Sequence, residues 1–254
     1  MNWNVPIADM LAILLGATRT GAFMALSPPF NSRLIPVPVK ALLSVGLTLP
    51  LFPYLRGTIP SLQTSDIIFC AALQVFIGAG LGFIVLMLFS ALQAAGDMLD
   101  LFGGFTLAAA YDPLSFNQSS VFGRFYNLVA VTILFGSQGH LLILRGFLQS
   151  FRTLPLNLTF SLETFSRLLL KGIAELFLSA LQIAGPLIAV LFLTDVAFGL
   201  LNRVAPALNA FQLGFPAKIF LLLLMSGLAI GALPQVLESL VDKAISAVLQ
   251  LSGG

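Results

Sequence analysis

IIFCAALQVFIGAGLGFIVLMLFSALQAAG, residues 67–96, is the stretch of sequence that decides the fold. These thirty residues lie between Asp66 and Asp97 and carry no formal charge. Because a bilayer crossing needs only about 20 apolar residues, a helix of this length must tilt, bend or continue into a protein environment. The whole chain agrees, since 58% of its 254 residues are hydrophobic and 9% are charged, against roughly 25% charged in soluble domains. We therefore predict an all-α integral membrane protein.

The other hydrophobic stretches fall into two groups. Residues 125–144 and 219–237 are each close to one uninterrupted crossing. Three more are interrupted by charges or by prolines, which break or kink helices: 6–26 by Asp9 and Arg19, 41–55 by Pro50 and Pro53, and 176–201 by Asp195 and the Gly185–Pro186 pair. Since no polar linker separates these stretches, we predict one membrane domain, residues 1–254, with about six hydrophobic, partly broken spans.

Composition also excludes several functions. A net charge of +2 without a basic run gives no nucleic-acid footprint. Cys70 and His140 are the only residues of their kinds, which excludes an intramolecular disulfide, a cysteine cluster and a multi-histidine metal site. The chain has neither a nucleophile elbow nor a phosphate-binding glycine loop. We predict that it is not an enzyme, that it needs no metal or cofactor, and that Cys70 is a small buried hydrophobe.

The distribution of lysine and arginine leaves the orientation open. A six-span topology places six of these cations on one side and five on the other, with Arg19 inside a span. The positive-inside rule therefore decides nothing. Either the span assignment is wrong, or the helices do not cross a bilayer in the ordinary alternating way.

The segment after the long span, GDMLDLFGGFTLAAAYDP at residues 96–113, is unusual. It is too apolar for a solvated loop, and Gly103-Gly104 and Asp112-Pro113 interrupt it too often for one regular helix. Irregular backbone at membrane depth is tolerated only where it is buried in protein or lines a cavity. The residues alone leave two readings open, a re-entrant plug within a pore and a hydrophobic loop packed on neighbouring helices.

Charged residues within the apolar stretches are candidate functional residues, because a charge in hydrocarbon costs a few kcal/mol. Four qualify, namely Arg19, Asp97, Asp100 and Asp195. Asp97 and Asp100 are three residues apart and share one face of a helix. Such a pair could bind a cation or relay protons, or it could cap a helix end or pair with an arginine.

Two further patterns predict packing. Gly78-x-x-x-Gly82 and Gly227-x-x-x-Gly231 allow close approach of helices in a membrane, within the chain or between subunits. Between residues 237 and 248, apolar side chains recur at helical spacing, with charged ones opposite. This pattern predicts an amphipathic C-terminal helix that binds a partner or a membrane surface.

The order and spacing of several motifs resemble one known family. The landmarks are Arg19, Ile35-Pro36-x-x-Val39-Lys40, Gln74-x-x-Ile77-Gly78-x-x-Leu81-Gly82-Phe83, Ala95-Gly96, Asp112-Pro113, Gly139-His140-Leu141, Leu154-Pro155, Gly199-Leu200-Leu201-Asn202-Arg203-x-Ala205-Pro206-x-Leu208, Phe211 and Gly214-Phe215-Pro216. Together they are similar to the FliR family, the membrane subunit of the flagellar export gate with relatives in type III secretion injectisomes. The Leu-Asn-Arg and Gly-Phe-Pro landmarks favour the flagellar branch.

This resemblance implies a role that composition could not reveal. Proteins of this family look like a fusion of their companions FliP and FliQ, so residues 1–165 would be the FliP-like part and 166–254 the FliQ-like part. The three subunits form a helical, pore-forming assembly of helical hairpins in the bacterial inner membrane at the flagellar basal body, raised toward the periplasm. It passes unfolded flagellar subunits outward with FlhA-like and FlhB-like components, and membrane lipid is a further partner.

The resemblance also assigns residues. The plug loop of the family falls on residues 103–122, with Gly103, Gly104, Phe105, Leu107, Tyr111, Asp112, Pro113, Leu114 and Phe116 as its members. Structural and assembly roles fall on Arg19, Lys40, Gly78, Gly82, Asn202, Arg203, Pro206, Gly214, Phe215 and Pro216. Two other functions are weighed against a gate subunit. Broken helices and intramembrane carboxylates also suit a secondary transporter of a small solute or ion, and a purely structural scaffold is the third reading.

Overall fold

A computed structural model describes residues 6–58, 63–106, 120–156, 162–206 and 210–251. The secondary structure in these ranges is helical and contains no strand, which confirms the predicted all-α class. The helices are α1 Ile7–Leu26, α2 Val37–Thr48, a 3₁₀ turn Leu49–Leu51, α3 Phe52–Leu55, α4 Thr64–Gly103, α5 Val121–Gly136, α6 Gly139–Thr153, α7 Leu162–Val204, α8 Ala210–Ile230 and α9 Leu233–Leu251.

Proline and glycine set several of these boundaries. The chain leaves α1 at Ser27, directly before Pro28, and α2 starts after Pro36. Pro50 tightens the end of α2 into the 3₁₀ turn, as the sequence predicts. Gly104 follows the last residue of α4 with φ of 85°, the left-handed conformation in which glycine commonly ends a helix.

The number of possible membrane spans agrees with the sequence. In the described part of the chain, five helical stretches are long and apolar enough to cross a bilayer: α1, the stretch from α2 through α3, α4, α7 and α8. A sixth span results if α5 and α6, separated by a break at 137–138, count as one. This confirms a polytopic membrane protein. At 40 residues, α4 is about 60 Å long, roughly twice the thickness of the hydrocarbon core.

One span that contains a proline is a continuous helix. α7 runs through Pro186 for 43 residues, and the kink that the Gly185–Pro186 pair predicts there stays a prediction. A proline removes one backbone hydrogen bond and crowds the preceding turn. In an apolar setting the remaining helical bonds are the cheapest way to satisfy the backbone, so the helix continues on both sides.

The chain forms two compact units that interleave along the sequence. The first contains residues up to 88, 137–173 and those from 241 onward, and the second contains 89–136 and 174–240. In the core of the first unit Phe147 stacks on Phe23 at 4.0 Å and meets Phe151 edge-on at 5.5 Å. The predicted division near residue 165 stays a prediction.

The last helix is amphipathic, as predicted. Four apolar side chains of α9 are almost fully buried, namely Leu237, Leu240, Val241 and Ala244. Glu238 and Asp242, on the other face, are exposed. Cys70 is buried as well, which confirms its predicted place among the apolar side chains.

Candidate functional site

The two ends of the segment that resembles a plug loop meet in the second unit. We call them the loop stem, defined as residues 103–105 and 120–123. Phe105 contacts Phe122 edge to face, with ring centroids 5.5 Å apart. The stem therefore joins the end of α4 to the start of α5.

Both stem glycines lie in close contact with side chains of α8. A Cβ on Gly103 would overlap the Leu222 side chain of α8. A Cβ on Gly104 would lie 2.9 Å from the ring of Phe215, also on α8. Gly104 moreover has a positive φ, which disfavours any other residue. These two glycines thus allow α8 to close over one end of the stem.

Asp100 holds the other end. Its carboxylate is buried and accepts hydrogen bonds from the backbone N–H of Phe122, at 3.2 Å to each oxygen, and from the Ser120 hydroxyl at 2.5 Å. The Ser120 hydroxyl oxygen in turn accepts from the N–H of Gly123 at 2.8 Å, as an N-cap residue does. Of the two readings of the acidic pair, helix capping is therefore correct for Asp100.

Asp97 has a different position from Asp100. It is exposed, and its carboxylate oxygen occupies the space that a side chain on Gly123 would need. On the same stretch of α4, a Cβ on Gly96 would lie 2.5 Å from the backbone of Phe122 and Gly123. Close approach of α4 and α5 thus explains the Ala95-Gly96 landmark of the sequence.

Six of the predicted plug residues fall outside the described part of the chain: Leu107, Tyr111, Asp112, Pro113, Leu114 and Phe116. Gly103, Gly104 and Phe105 are described and all belong to the stem. The structure thus brings together the two attachment points of the predicted loop.

Arg19 is the most deeply buried charge of the first unit, with no accessible surface. Its Nε donates to Gln74 Oε1 at 2.6 Å and its Nη1 donates to the Ser150 carbonyl at 3.5 Å. The guanidinium lies 4.4 Å from the centre of the Phe151 ring, a cation–π contact. Arg19 thereby joins α1 to α4 and α6.

Gln74 completes this polar cluster. Its amide nitrogen donates to the Leu156 carbonyl at 3.1 Å, so the side chain is held at both ends. Among the described residues Arg19 has no acidic partner, and its Nη2 and the Ser150 hydroxyl lack hydrogen bonds. Gln74 could be singled out from the sequence, because it belongs to a landmark motif, but its pairing with Arg19 could not.

The Gly78-x-x-x-Gly82 motif packs α4 on α1. A Cβ on Gly78 would overlap the Arg19 carbonyl oxygen, and one on Gly82 would lie 2.7 Å from the Phe23 carbonyl oxygen. This confirms the predicted close helix contact within the chain. By contrast, Gly227 has open space around it, and Gly231, in the turn after α8, lies near only the Leu228 carbonyl oxygen.

The C-terminal landmarks lie mostly on the surface. Asn202, Arg203 and Pro206 are exposed where α7 ends. Arg203 is the basic residue in the last turn of α7, and its role in assembly stays a prediction. Gly214 faces the Phe198 ring, at 3.3 Å from a hypothetical Cβ, and Pro216 lies within α8.

An ion pair also joins these two helices. Lys218 of α8 pairs with Asp195 of α7. Lys40, the remaining assigned residue, lies half-buried in the first turn of α2. In the described ranges no group of three or more histidine, cysteine or acidic residues could hold a metal ion.

These features define an all-α polytopic membrane protein with a glycine-rich, capped loop stem and a buried arginine cluster. A model of the family described as "Bacterial export proteins, family 1" matches residues 10–244. The chain is 31% identical to the flagellar biosynthetic protein FliR of Bacillus subtilis (strain 168) over 252 residues, covering 95% of this chain and 96% of the relative. It is also 31% identical to FliR of Pectobacterium carotovorum subsp. carotovorum over 223 residues, or 87% and 85%, and 30% identical to FliR of Escherichia coli (strain K12) over 201 residues, or 79% and 77%. The chain therefore belongs to the FliR family of bacterial export proteins.

Proposed function

We propose that this chain is a pore-forming subunit of the flagellar protein-export gate in the bacterial inner membrane, and that residues 103–122 act as its plug. Membership in the FliR family carries the proposal. By this likeness its partners are FliP-like and FliQ-like gate subunits, FlhA-like and FlhB-like export components, and unfolded flagellar substrates. The assembled gate is raised toward the periplasm.

The geometry of the loop stem supports a plug. A plug must return to one position after each substrate has passed, so its ends need fixed attachments. Here Asp100 fixes the start of α5, and Phe215 packs over Gly104 at the end of α4. Both anchors belong to long helices, which hold a functional segment more accurately than loops do.

The surfaces of α7 and α8 support assembly with companions. In the apolar 18-residue stretch of each helix, 28% of the residues are buried in α7 and 17% in α8, against 67% in α4. Lipid alone can cover such faces, but the open space around Gly227 of α8 also permits close approach of another helix.

The charged groups offer little support for a transporter. An ion-coupled transporter needs carboxylates that can exchange ligands near the membrane midplane. Two of the three candidate carboxylates already have partners, Asp100 at the start of α5 and Asp195 at Lys218, whereas Asp97 is exposed. We therefore favour the gate over the transporter.

Deletion of residues 104–119 tests the plug. The variant gate, co-expressed with its two small companion membrane proteins and reconstituted in planar bilayers, should conduct ions at rest more strongly than the wild type. In a second variant, a glycine-serine stretch of equal length replaces the same residues, which keeps the loop length but removes the apolar bulk. A gate with this variant should conduct ions at rest as well. If the deletion variant assembles fully and its conductance is unchanged, residues 103–122 are not the plug.

Substitution of Arg203 tests assembly. Arg203→Ala removes an exposed cation from the end of α7 and should lower recovery of the complex with its companions. Arg167→Ala is the control, because Arg167 is an equally exposed arginine of α7 that pairs with Glu163 four residues earlier. Equal recovery of both variants, with normal export, would remove Arg203 from the assembly surface.

A further inference from the structure

An apolar groove lies between α1, α2 and the start of α4, within the first unit. Its volume is about 430 Å³, inside the range of roughly 300–1,000 Å³ typical of small-molecule pockets. The side chains around it are small or aliphatic and include Leu14, Ala17, Gly21, Ala41, Val45 and Ala71. Leu14 is 64% exposed, so the groove is open at this residue.

The few polar groups of the groove are already satisfied. The Thr18 hydroxyl donates to the Leu14 carbonyl at 2.7 Å, and the Ser44 hydroxyl donates to the Lys40 carbonyl at 2.7 Å. Both bonds remain within one helix. A polar occupant would gain no partner there and would lose its own hydration, which costs free energy. The occupant of the groove itself must therefore be apolar.

Two cations precede the groove-lining residues of α2 in the chain. Lys40 precedes Ser44 by one turn of α2, on the face that lines the groove. Arg33 lies in the turn before α2, next to Leu34, which is 91% exposed. Neither cation forms an ion pair with any residue that the structure describes. Exposed apolar side chains flanked by cations are typical of a segment at the membrane interface.

We propose that this groove binds an acyl chain of an anionic phospholipid, with the lipid phosphate at Lys40 and Arg33. The lipid meets both requirements at once, since its chain is apolar and its headgroup carries the missing negative charge. A helix of another subunit would fill the apolar part, but it would leave two cations without counter-charges unless it also brought an acid to them.

Native mass spectrometry of the full chain in detergent can test the site. The purified protein is incubated with phosphatidylglycerol or with phosphatidylcholine of the same acyl chains, and the bound fraction is measured. Ala17→Phe fills the groove and should lower lipid retention by about tenfold, the factor expected when roughly two methylenes are left outside. Ala25→Phe is the matched control, since Ala25 is exposed on α1 and does not line the groove. Equal retention by the two variants would overturn the proposal.

The headgroup contact has its own test. Lys40→Gln should lower the preference for phosphatidylglycerol over phosphatidylcholine by about fivefold, the factor for one lysine at an anionic lipid surface. Lys171→Gln, at an exposed lysine of α7, should leave the preference unchanged. Loss of the preference in both variants, or in neither, would contradict a specific headgroup site.

A photo-crosslinker at Leu14 in the co-expressed complex identifies the occupant directly. A mass increase equal to a phospholipid supports the proposal. A crosslink to a companion subunit would show that a protein helix fills the groove and would overturn it.

Discussion

Gly78 gives the sharpest test of how the first unit is held together. An added Cβ there would overlap the Arg19 carbonyl oxygen of α1 and lie 3.1 Å from the Ala22 Cβ. Because the obstructing atom belongs to the backbone, only a shift of one helix against the other can make room. Gly46 of α2 is the matched control, since nothing lies within 4 Å of its hypothetical Cβ. The same substitution to alanine is therefore made once in a tight contact and once in open space.

The two variants should differ in sign. In a helix interior, replacing glycine by alanine stabilises by roughly 0.5–1 kcal/mol, because the unfolded chain loses freedom. Overpacking costs about 1–3 kcal/mol, and a backbone obstacle puts Gly78 near the upper end. Gly78→Ala should therefore lower the free energy of unfolding by about 2 kcal/mol. Gly46→Ala should raise it by roughly 0.5–1 kcal/mol.

The measurement is an SDS titration of the full chain in detergent micelles, with helix content followed by circular dichroism. The two midpoints should move to opposite sides of the wild-type midpoint. If Gly78→Ala proves as stable as Gly46→Ala, then α1 and α4 do not approach each other through this glycine, and the packing described for the first unit is incorrect.

Three further predictions concern polar contacts. Gln74→Leu removes the acceptor of the buried Arg19 Nε–H and should lower the free energy of unfolding by about 1.5–3 kcal/mol in the same titration. Adding Arg19→Leu should recover part of this loss, because no buried charge then remains. Asp100→Ala should cost about 1–2 kcal/mol and speed amide hydrogen exchange at the start of α5, whereas unchanged exchange there would contradict its capping role. Lys218→Gln leaves Asp195 half exposed, so the loss should stay within about 1 kcal/mol, and a larger effect would mean that the pair is shielded from water.

The long helix was predictable in its existence but not in its length. The uncharged run at residues 67–96 fixes a helix, yet α4 continues through Asp97 and Asp100 to Gly103. A charge ends a hydrophobic run, but it need not end a helix, because the backbone hydrogen bonds of the helix do not depend on it: Asp97 is exposed, and the buried Asp100 has a hydrogen-bond partner. Asp100 accepts a hydrogen bond from the N–H of Phe122, 22 residues later. The sequence pattern does not reveal such a distant contact.

The candidate site was also only partly predictable, because it too depends on a contact between residues that are distant in the sequence. Hydropathy alone marks Arg19 as expensive in an apolar span, and the glycines of the Gly78 motif predict close packing. The cost of burying the Arg19 charge is offset by its hydrogen bond to Gln74, 55 residues further along the chain. Local periodicity carries no information on such a contact.

The interleaving of the two units has a consequence for how the protein is made. The residues from 241 onward belong to the first unit, and there Ile245 lies beside Gly146 of α6, 3.6 Å from its hypothetical Cβ. These residues leave the ribosome after all the other segments of the first unit. α6 must therefore wait in the membrane, without this neighbour, until residue 245 has been synthesised. A stop codon before residue 241 would remove a neighbour of a helix that was synthesised much earlier.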